Sequence, residues 1–323
     1  GWSRSSDEPN PFIKIFLERE HRQKHMNLKS PARSLLKQNY RIAHSYHQLR
    51  LWLEGQRNDS KIVIYQMGKV GSTSIWESLQ ALNLGVPIYH IHFLARQKID
   101  QVLQKDKEKF SKQGFLFIET LQSEYLRRQL DAGIKSPWKV ITLFRDPVAK
   151  ELSSFFQKLQ GELLLGIDYR ERIAEEGESA ISKELVDRFH REYVNNPSRP
   201  HPFAWFKNEL QESFDFDIFA AADMTGKDYC LFSNKKAKFL VLKLESLNVS
   251  YQSAFEDFLG IENFKLVKAN VGQEKQYRSL YKQFLREVNL PDSYLSKMYH
   301  TDLERHFYSE SEIQQFYQRW SAG

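Results

Sequence analysis

Lys61-Ile62-Val63-Ile64-Tyr65-Gln66-Met67-Gly68-Lys69-Val70-Gly71-Ser72-Thr73-Ser74 is the stretch on which the fold turns. Ile62 to Tyr65 form an apolar β-run. A short loop with two glycines and one lysine comes next, then a Ser/Thr cluster, then a helix-like segment from Ile75 to Leu82. A strand, a Gly/Lys loop and a helix in that order are suited to phosphate. Free backbone N–H groups and the positive end of the helix dipole face the anion. Glycine allows close approach of the backbone, and Lys69 adds a mobile point charge. The nucleotide-triphosphate loop reads Gly-x-x-x-x-Gly-Lys-Ser/Thr. Here the lysine precedes the second glycine, so the loop is of a different type.

Outward from this stretch the pattern alternates. Strands are expected at 61–66, 87–92, 115–119 and 138–144, and further β-structure at 229–232 and 237–244. Helices are expected at 73–83, 95–109, 122–133, 147–160, 170–194 and 203–212, with a mostly helical remainder over 247–319. Continuous apolar strands interleaved with helices predict a parallel sheet covered on both faces. The expected fold is α/β, a P-loop-like three-layer sandwich with a central parallel sheet flanked by helices. Residues 1–58 read as an N-terminal helical extension, and 59–323 as the α/β domain.

The bulk numbers are compatible with this. The 323 residues are enough for a full core, and 41% apolar and 14% aromatic content argue for a folded globule. A net charge of +6 suits an anionic ligand. No dense Lys/Arg stripe appears, so nucleic acid is not an expected partner. The single Cys230 excludes an intramolecular disulfide and a multi-Cys metal site, and it favours a reducing compartment. There is no transmembrane-length apolar run and no apolar signal core, so a cytoplasmic location is expected in preference to the Golgi lumen.

In open α/β sheets ligands bind beyond the C-terminal ends of the strands. The expected strands deliver Gly68 to Ser74, then His90 and His92, then Glu119 and Thr120, then Arg145, Asp146 and Pro147 to that edge. Arginine suits a bidentate grip on a terminal phosphate. Asp146 suits an N-cap and Pro147 a first helical turn. On residue type alone, Arg145 either grips an anion or pairs with a core carboxylate.

These residues resemble a known family. Gly68-Lys69-Val70-Gly71-Ser72-Thr73-Ser74 is similar to the 5′-phosphosulfate loop of carbohydrate sulfotransferases. Phe144-Arg145-Asp146-Pro147-Val148-Ala149-Lys150-Glu151-Leu152-Ser153 resembles their 3′-phosphate motif, an Arg with a Ser eight residues later. The two motifs stand in order, about 75 residues apart, each behind an expected strand. Overall the chain looks like bacterial capsular polysaccharide synthesis proteins of that superfamily.

The resemblance implies transfer of a sulfuryl group from 3′-phosphoadenosine 5′-phosphosulfate (PAPS), with adenosine 3′,5′-bisphosphate as product. By resemblance Lys69 steadies the leaving phosphate oxygen. Val70, Gly71, Ser72, Thr73 and Ser74 hold the 5′-phosphate, and Arg145 and Ser153 the 3′-phosphate. Lys275, in a segment where the family closes a basic loop over the donor, is a further donor contact. No metal is implied. The acceptor is expected to be a saccharide or a small molecule, modified on a hydroxyl or an amine that gives up its proton to a base. Relatives place a Glu at the end of the second strand or a His at the end of the third. This chain has His90 at the first place and Glu119 at the second, with His92 on the same strand face as His90. His90 is the favoured base because it needs little tuning. Arg199, His201 and Trp205 are candidates for the acceptor cleft, and Trp138, Phe203 and Tyr193 for stacking on sugar faces.

Two other readings exist. A P-loop kinase or NTPase needs a Ser/Thr directly after the lysine and a magnesium-holding carboxylate. Val70 comes directly after Lys69, and only Asp146 resembles that carboxylate. A non-catalytic polysaccharide-assembly protein would have no need to retain Lys69, Arg145 and Ser153 together.

Overall fold

The computed structural model describes residues 38–55, 59–113, 116–163, 169–221, 223–267 and 278–321. In chain order, α1 (Tyr40–Gly55) precedes β1 (Ile62–Tyr65), α2 (Ser72–Ala81), β2 (Ile88–Ile91), α3 (Arg96–Gln113), α4 (Ile118–Ala132), β3 (Trp138–Phe144) and α5 (Pro147–Leu163). Then come α6 (Tyr169–Glu176), α7 (Glu178–Phe189), a π-helical turn at His190–Val194 and a second at Phe206–Gln211. Short helices α8 (Glu212–Phe214) and α9 (Ile218–Ala221) lead to β4 (Tyr229–Ser233) and β5 (Ala237–Lys243). The chain ends in α10 (Leu247–Leu259), α11 (Arg278–Glu287), α12 (Asp292–Tyr299), α13 (Asp302–Phe307) and α14 (Glu310–Ser321).

The strands form one five-stranded sheet in the order β2-β1-β3-β5-β4. β1 pairs in parallel with β2 and β3, β3 pairs in parallel with β5, and β4 runs antiparallel to β5. The mostly parallel α/β sheet agrees with expectation. Val63, Ile64, Val140, Ile141 and Leu143 lie wholly out of solvent on the central strands. Burial of each is worth roughly 1.5–3 kcal/mol, so the sheet interior is the main source of cohesion. Strands covered on both faces need apolar residues at every position, and this is why these runs do not alternate.

The chain leaves β1 for β2 on one side, then returns through α3 and α4 to set β3 on the other side of β1. That reversal is a topological switch point, the place where open α/β sheets form a ligand crevice beyond the C-terminal ends of their strands. The loop 66–71 and the Arg145-Asp146 connection flank it.

The expected strand at 115–119 does not form. Within the described part, Leu116 and Phe117 are irregular, and α4 begins at Ile118 with Phe117 at its N-cap. Two causes act together. Both edges of β1 are already taken, by β2 and β3. Leu121, Tyr125 and Leu126 continue the apolar pattern at helical spacing and are buried. Glu119 therefore stands in the first turn of a helix, where a negative charge is favoured.

Of the expected extension over 1–58, residues 38–55 are described, whereas 1–37 and 56–58 lie outside the described residues. α1 packs on α4. Ala43 and Leu51 enter the core, His44 Nε2 meets Glu124 Oε2 at 2.6 Å, and Gln48 donates to the Leu121 carbonyl. No helix among the described residues is long and apolar enough to cross a membrane.

One buried carboxylate ties the sheet to its surroundings. Glu209, in the second π-helical turn, accepts at Oε2 from Leu94 N (2.7 Å), Ala95 N (2.9 Å) and the Tyr65 hydroxyl (2.7 Å). It thereby caps the entry to α3 and anchors the last residue of β1. Burial, more than any neighbour, raises its carboxyl above the usual range. Glu209→Ala strands three buried donors and is expected to destabilise the chain by about 3 kcal/mol, whereas Glu209→Gln, which keeps an acceptor oxygen, costs less. Denaturant melts of the two variants check this.

Candidate functional site at the sheet edge

The loop after β1 turns on two left-handed residues, Lys69 (φ 71°) and Gly71 (φ 79°), with Val70 fully buried between them. A lysine in this conformation carries a cost of about 1–2 kcal/mol, which the surroundings must meet. Gly71 has a second constraint besides its φ. A Cβ there would lie 2.6 Å from Leu244 Cδ1, so the loop is pressed against the end of β5. Around Gly68 the same construction meets nothing within 4 Å, and that side of the loop is open. Gly71 is the N-cap of α2 and supplies no side-chain cap. The first-turn N–H groups of a helix have no intrahelical acceptor, and at Ser72 to Ser74 the N-cap residue offers no side chain to meet them. An open glycine, a helix start with a glycine N-cap and a lysine on the same loop fit a phosphate-bearing ligand.

Arg145 reaches this loop from the other side of the crevice. Its Nη1 donates to the Lys69 carbonyl at 3.1 Å. The residue after it is a structural hub. Asp146 is 1% exposed; Oδ1 accepts from Val148 N (2.9 Å), Ala149 N (3.3 Å) and the Tyr299 hydroxyl (2.6 Å), and Oδ2 from Trp320 Nε1 (2.8 Å). Its own N–H donates to Glu245 Oε1 at 2.8 Å. The expected N-cap role of Asp146 is realised, and the hub holds Arg145 in place. Ser153 sits partly buried on the second turn of α5.

Strand register assembles the third part. Ile64 stands opposite His90, and with two-residue periodicity Gln66 comes beside His92 on the same sheet face. Gln66 has no solvent exposure. Its Nε2 lies 2.8 Å from His92 Nδ1 and 3.3 Å from His90 Nε2. His92 Nδ1 is also 3.1 Å from the Gln66 carbonyl oxygen. His90 Nε2 is 2.8 Å from Ser72 Oγ, and its ring stacks on Trp76. His92 Nε2 faces Glu119 Oε2 at 3.7 Å. Trp205 Nε1 donates to the His92 carbonyl at 2.9 Å. Desolvation, with a smaller contribution from His92, pushes His90 down to about 3. Its ring is neutral at physiological pH.

The structure thus brings Lys69, Ser72, His90, His92, Glu119 and Arg145 into one connected edge, even though Glu119 comes from a helix. Lys275 lies outside the described residues. Trp138, Phe203 and Tyr193 belong to the core and are not on a sugar-facing surface. Arg199 pairs with Glu151 and lies over the Tyr193 ring, and His201 Nε2 meets the buried Glu304 at 2.8 Å, so both serve packing. Trp205 is partly exposed and lies beside His92. Sequence reasoning passed over Gln66, Leu244 and Glu209. Gln66 left one trace: it is the first polar residue after an apolar strand.

Residues 182–309 match the family described as putative capsular polysaccharide synthesis protein. No curated protein and no solved structure matches the chain. The matched segment begins after both Lys69 and Arg145. It supplies Trp205, Glu209, Leu244, Glu245 and Tyr299, the residues that brace the two loops and β2 from behind.

Gly71→Ala is expected to cost about 1–2 kcal/mol from backbone strain, plus the contact with Leu244. Adding Leu244→Ala should relieve the contact and leave the backbone cost, giving a non-additive double-mutant cycle in denaturant melts. His90 has a signed consequence. Its folded-state value, about 3, lies below the unfolded value of 6.5, so between them the unfolded chain binds the extra proton and stability falls as pH drops. Melting curves over that window should fall less steeply for His90→Gln than for the unaltered chain.

Proposed function

We propose that this chain transfers a sulfuryl group from PAPS to a hydroxyl or amine of a saccharide. The observation that carries the reading is the Arg145–Lys69 carbonyl bond of 3.1 Å across the crevice between β1 and β3. A nucleotide with phosphate at both ends needs two anion sites at one such crevice. Here the start of α2, with glycine as its N-cap, continues the loop that carries Lys69, and the Arg145 guanidinium bonds that same loop at the Lys69 carbonyl. The 5′-phosphate would be held by the N–H groups of Val70 to Ser74 with the hydroxyls of Ser72, Thr73 and Ser74. The 3′-phosphate would be held by Arg145 and Ser153. PAPS supplies the sulfuryl group.

The chain's own residues do the rest. Lys69 and the α2 N-terminus are preorganised donors where negative charge develops on the departing phosphate oxygen, which is the largest single contribution in such transfers. The histidine–glutamate cluster at the end of β2 would take up the proton that leaves the acceptor. The saccharide acceptor is supported by the family description of the matched segment.

The kinase reading loses its carboxylate. Both oxygens of Asp146 are taken up by the α5 N-terminus, Tyr299 and Trp320.

Calorimetry with adenosine 3′,5′-bisphosphate tests the proposal. The unaltered chain should bind it, and Arg145→Ala should weaken binding by about 10- to 100-fold, the loss of a charge-assisted contact. A chain that gives no heat and no thermal shift with the bisphosphate is not a sulfotransferase of this kind. Lys69→Gly relieves the positive φ while removing the charge, so its melting temperature should hold while turnover of PAPS falls by about 100-fold or more.

A further inference from the structure

The proton inventory around Gln66 separates the two histidines. His92 Nδ1 lies 3.1 Å from a backbone carbonyl oxygen and 2.8 Å from the side-chain amide of the same residue. A carbonyl oxygen only accepts, so a ring nitrogen at that distance must carry its hydrogen. The amide atom beside it must then be oxygen as well. Amide nitrogen and oxygen have the same outline, and the network decides which is which. The remaining atom of the amide has no hydrogen-bond partner among the described residues, and exchanging the two atoms leaves that count unchanged.

The consequences propagate without conflict. With Nδ1 protonated, the neutral His92 ring has its lone pair on Nε2. That nitrogen faces outward, toward Glu119 on α4. The Gln66 oxygen also stands 3.3 Å from His90 Nε2, which likewise suits an N–H there. His90 Nε2–H then donates to Ser72 Oγ, 2.8 Å away, and leaves the Ser72 hydroxyl hydrogen free to point elsewhere.

We infer that His92 is the base that removes the acceptor's proton, that Gln66 is the positioning residue that fixes its tautomer, and that His90 serves the phosphate loop through Ser72. The inference rests on the sulfuryl-transfer reading. As the acceptor oxygen or nitrogen forms its bond to sulfur, the sulfur–oxygen bond to the 5′-phosphate breaks, and that electron pair stays on the phosphate. The acceptor's proton goes to His92 Nε2. Glu119, 3.7 Å away, stabilises the imidazolium and passes the proton to solvent, since its side chain is 47% exposed. The groups facing His92 are Gln66 from the end of β1, His90 on its own strand, Glu119 from α4 and the Trp205 indole, so Glu119 is the one carboxylate in the described set that meets the ring. His90, desolvated and held at about 3, is poorly matched to taking a proton at neutral pH.

The full chain with ¹⁵N-labelled histidine supplies the first test, by long-range ¹H–¹⁵N spectra. His92 is expected as the Nδ1–H tautomer, and Gln66→Leu should turn it into a mixture. The second test uses PAPS with water as acceptor, tracking sulfate release against pH, with bisphosphate calorimetry alongside. His92→Gln should lower release by about 100-fold while bisphosphate affinity stays within about twofold. Glu119→Gln should lower release by about tenfold and shift the lower limb of the pH profile. His90→Gln should instead weaken bisphosphate binding. Undiminished release by His92→Gln, or a His92 ring protonated on Nε2, overturns the inference and leaves the sulfuryl-transfer reading standing. Failure of the unaltered chain to bind the bisphosphate overturns that reading and the inference with it.

Discussion

Parallel pairing of β1 with β3 is the constraint that organises everything around it. Ile62, Val63 and Ile64 lie opposite Lys139, Val140 and Ile141, and β3 runs on to Phe144 past the end of β1. The segment leaving β1 meets the segment leaving β3. The first is a tight loop with a lysine, and the second is an arginine at a helix entry. The bond from Arg145 to the Lys69 carbonyl is the local result. The fold meets a topological requirement of a doubly wound sheet, and the same reversal sets the Lys69 loop against Arg145.

A crevice at that place keeps its shape only if its walls are fixed, and buried polar groups fix them. Asp146 accepts four hydrogen bonds from α5, α12 and α14, while Glu209 accepts three from β1 and the start of α3. Each carboxylate is costly to desolvate and is retained because its donors are otherwise buried without acceptors. Many of these bracing residues come from the segment that resembles capsular polysaccharide synthesis proteins. The left-handed Lys69 is the strained member of the assembly, and Leu244 against Gly71 helps to hold it so.

Electrostatics then divides similar side chains by role. His90 and His92 are two residues apart along one strand direction and share a sheet face, yet their surroundings differ. His90 is enclosed by Gln66, Ser72 and Trp76. His92 turns its Nε2 to an exposed carboxylate. Under the proposed transfer, two imidazoles with unlike neighbours would let the end of one strand supply both a loop support and a proton acceptor.

Residue order alone decided the strands, because a run such as Ile62 to Tyr65 or Trp138 to Phe144 has one favourable place, a sheet covered on both faces. It also decided the Gly/Lys loop between a strand and a helix, and the N-cap at Asp146, since both are local matters, whereas the crowding of Gly71 by Leu244 came only with the tertiary structure. Glu119 marks the limit of that reading. Its short apolar run suits a strand or a helix equally well in isolation, and the outcome fell to α4 because β2 and β3 already occupied both edges of β1 and because Leu121, Tyr125 and Leu126 carry the apolar pattern on at helical spacing. Gln66 marks the other limit. A glutamine after a strand carries no signal of its own, and only the register that sets it beside His92, buried with one amide between two imidazoles, gives it a part. Local conformational preference is written residue by residue, whereas partners far apart in the chain are chosen by which surfaces remain to be covered.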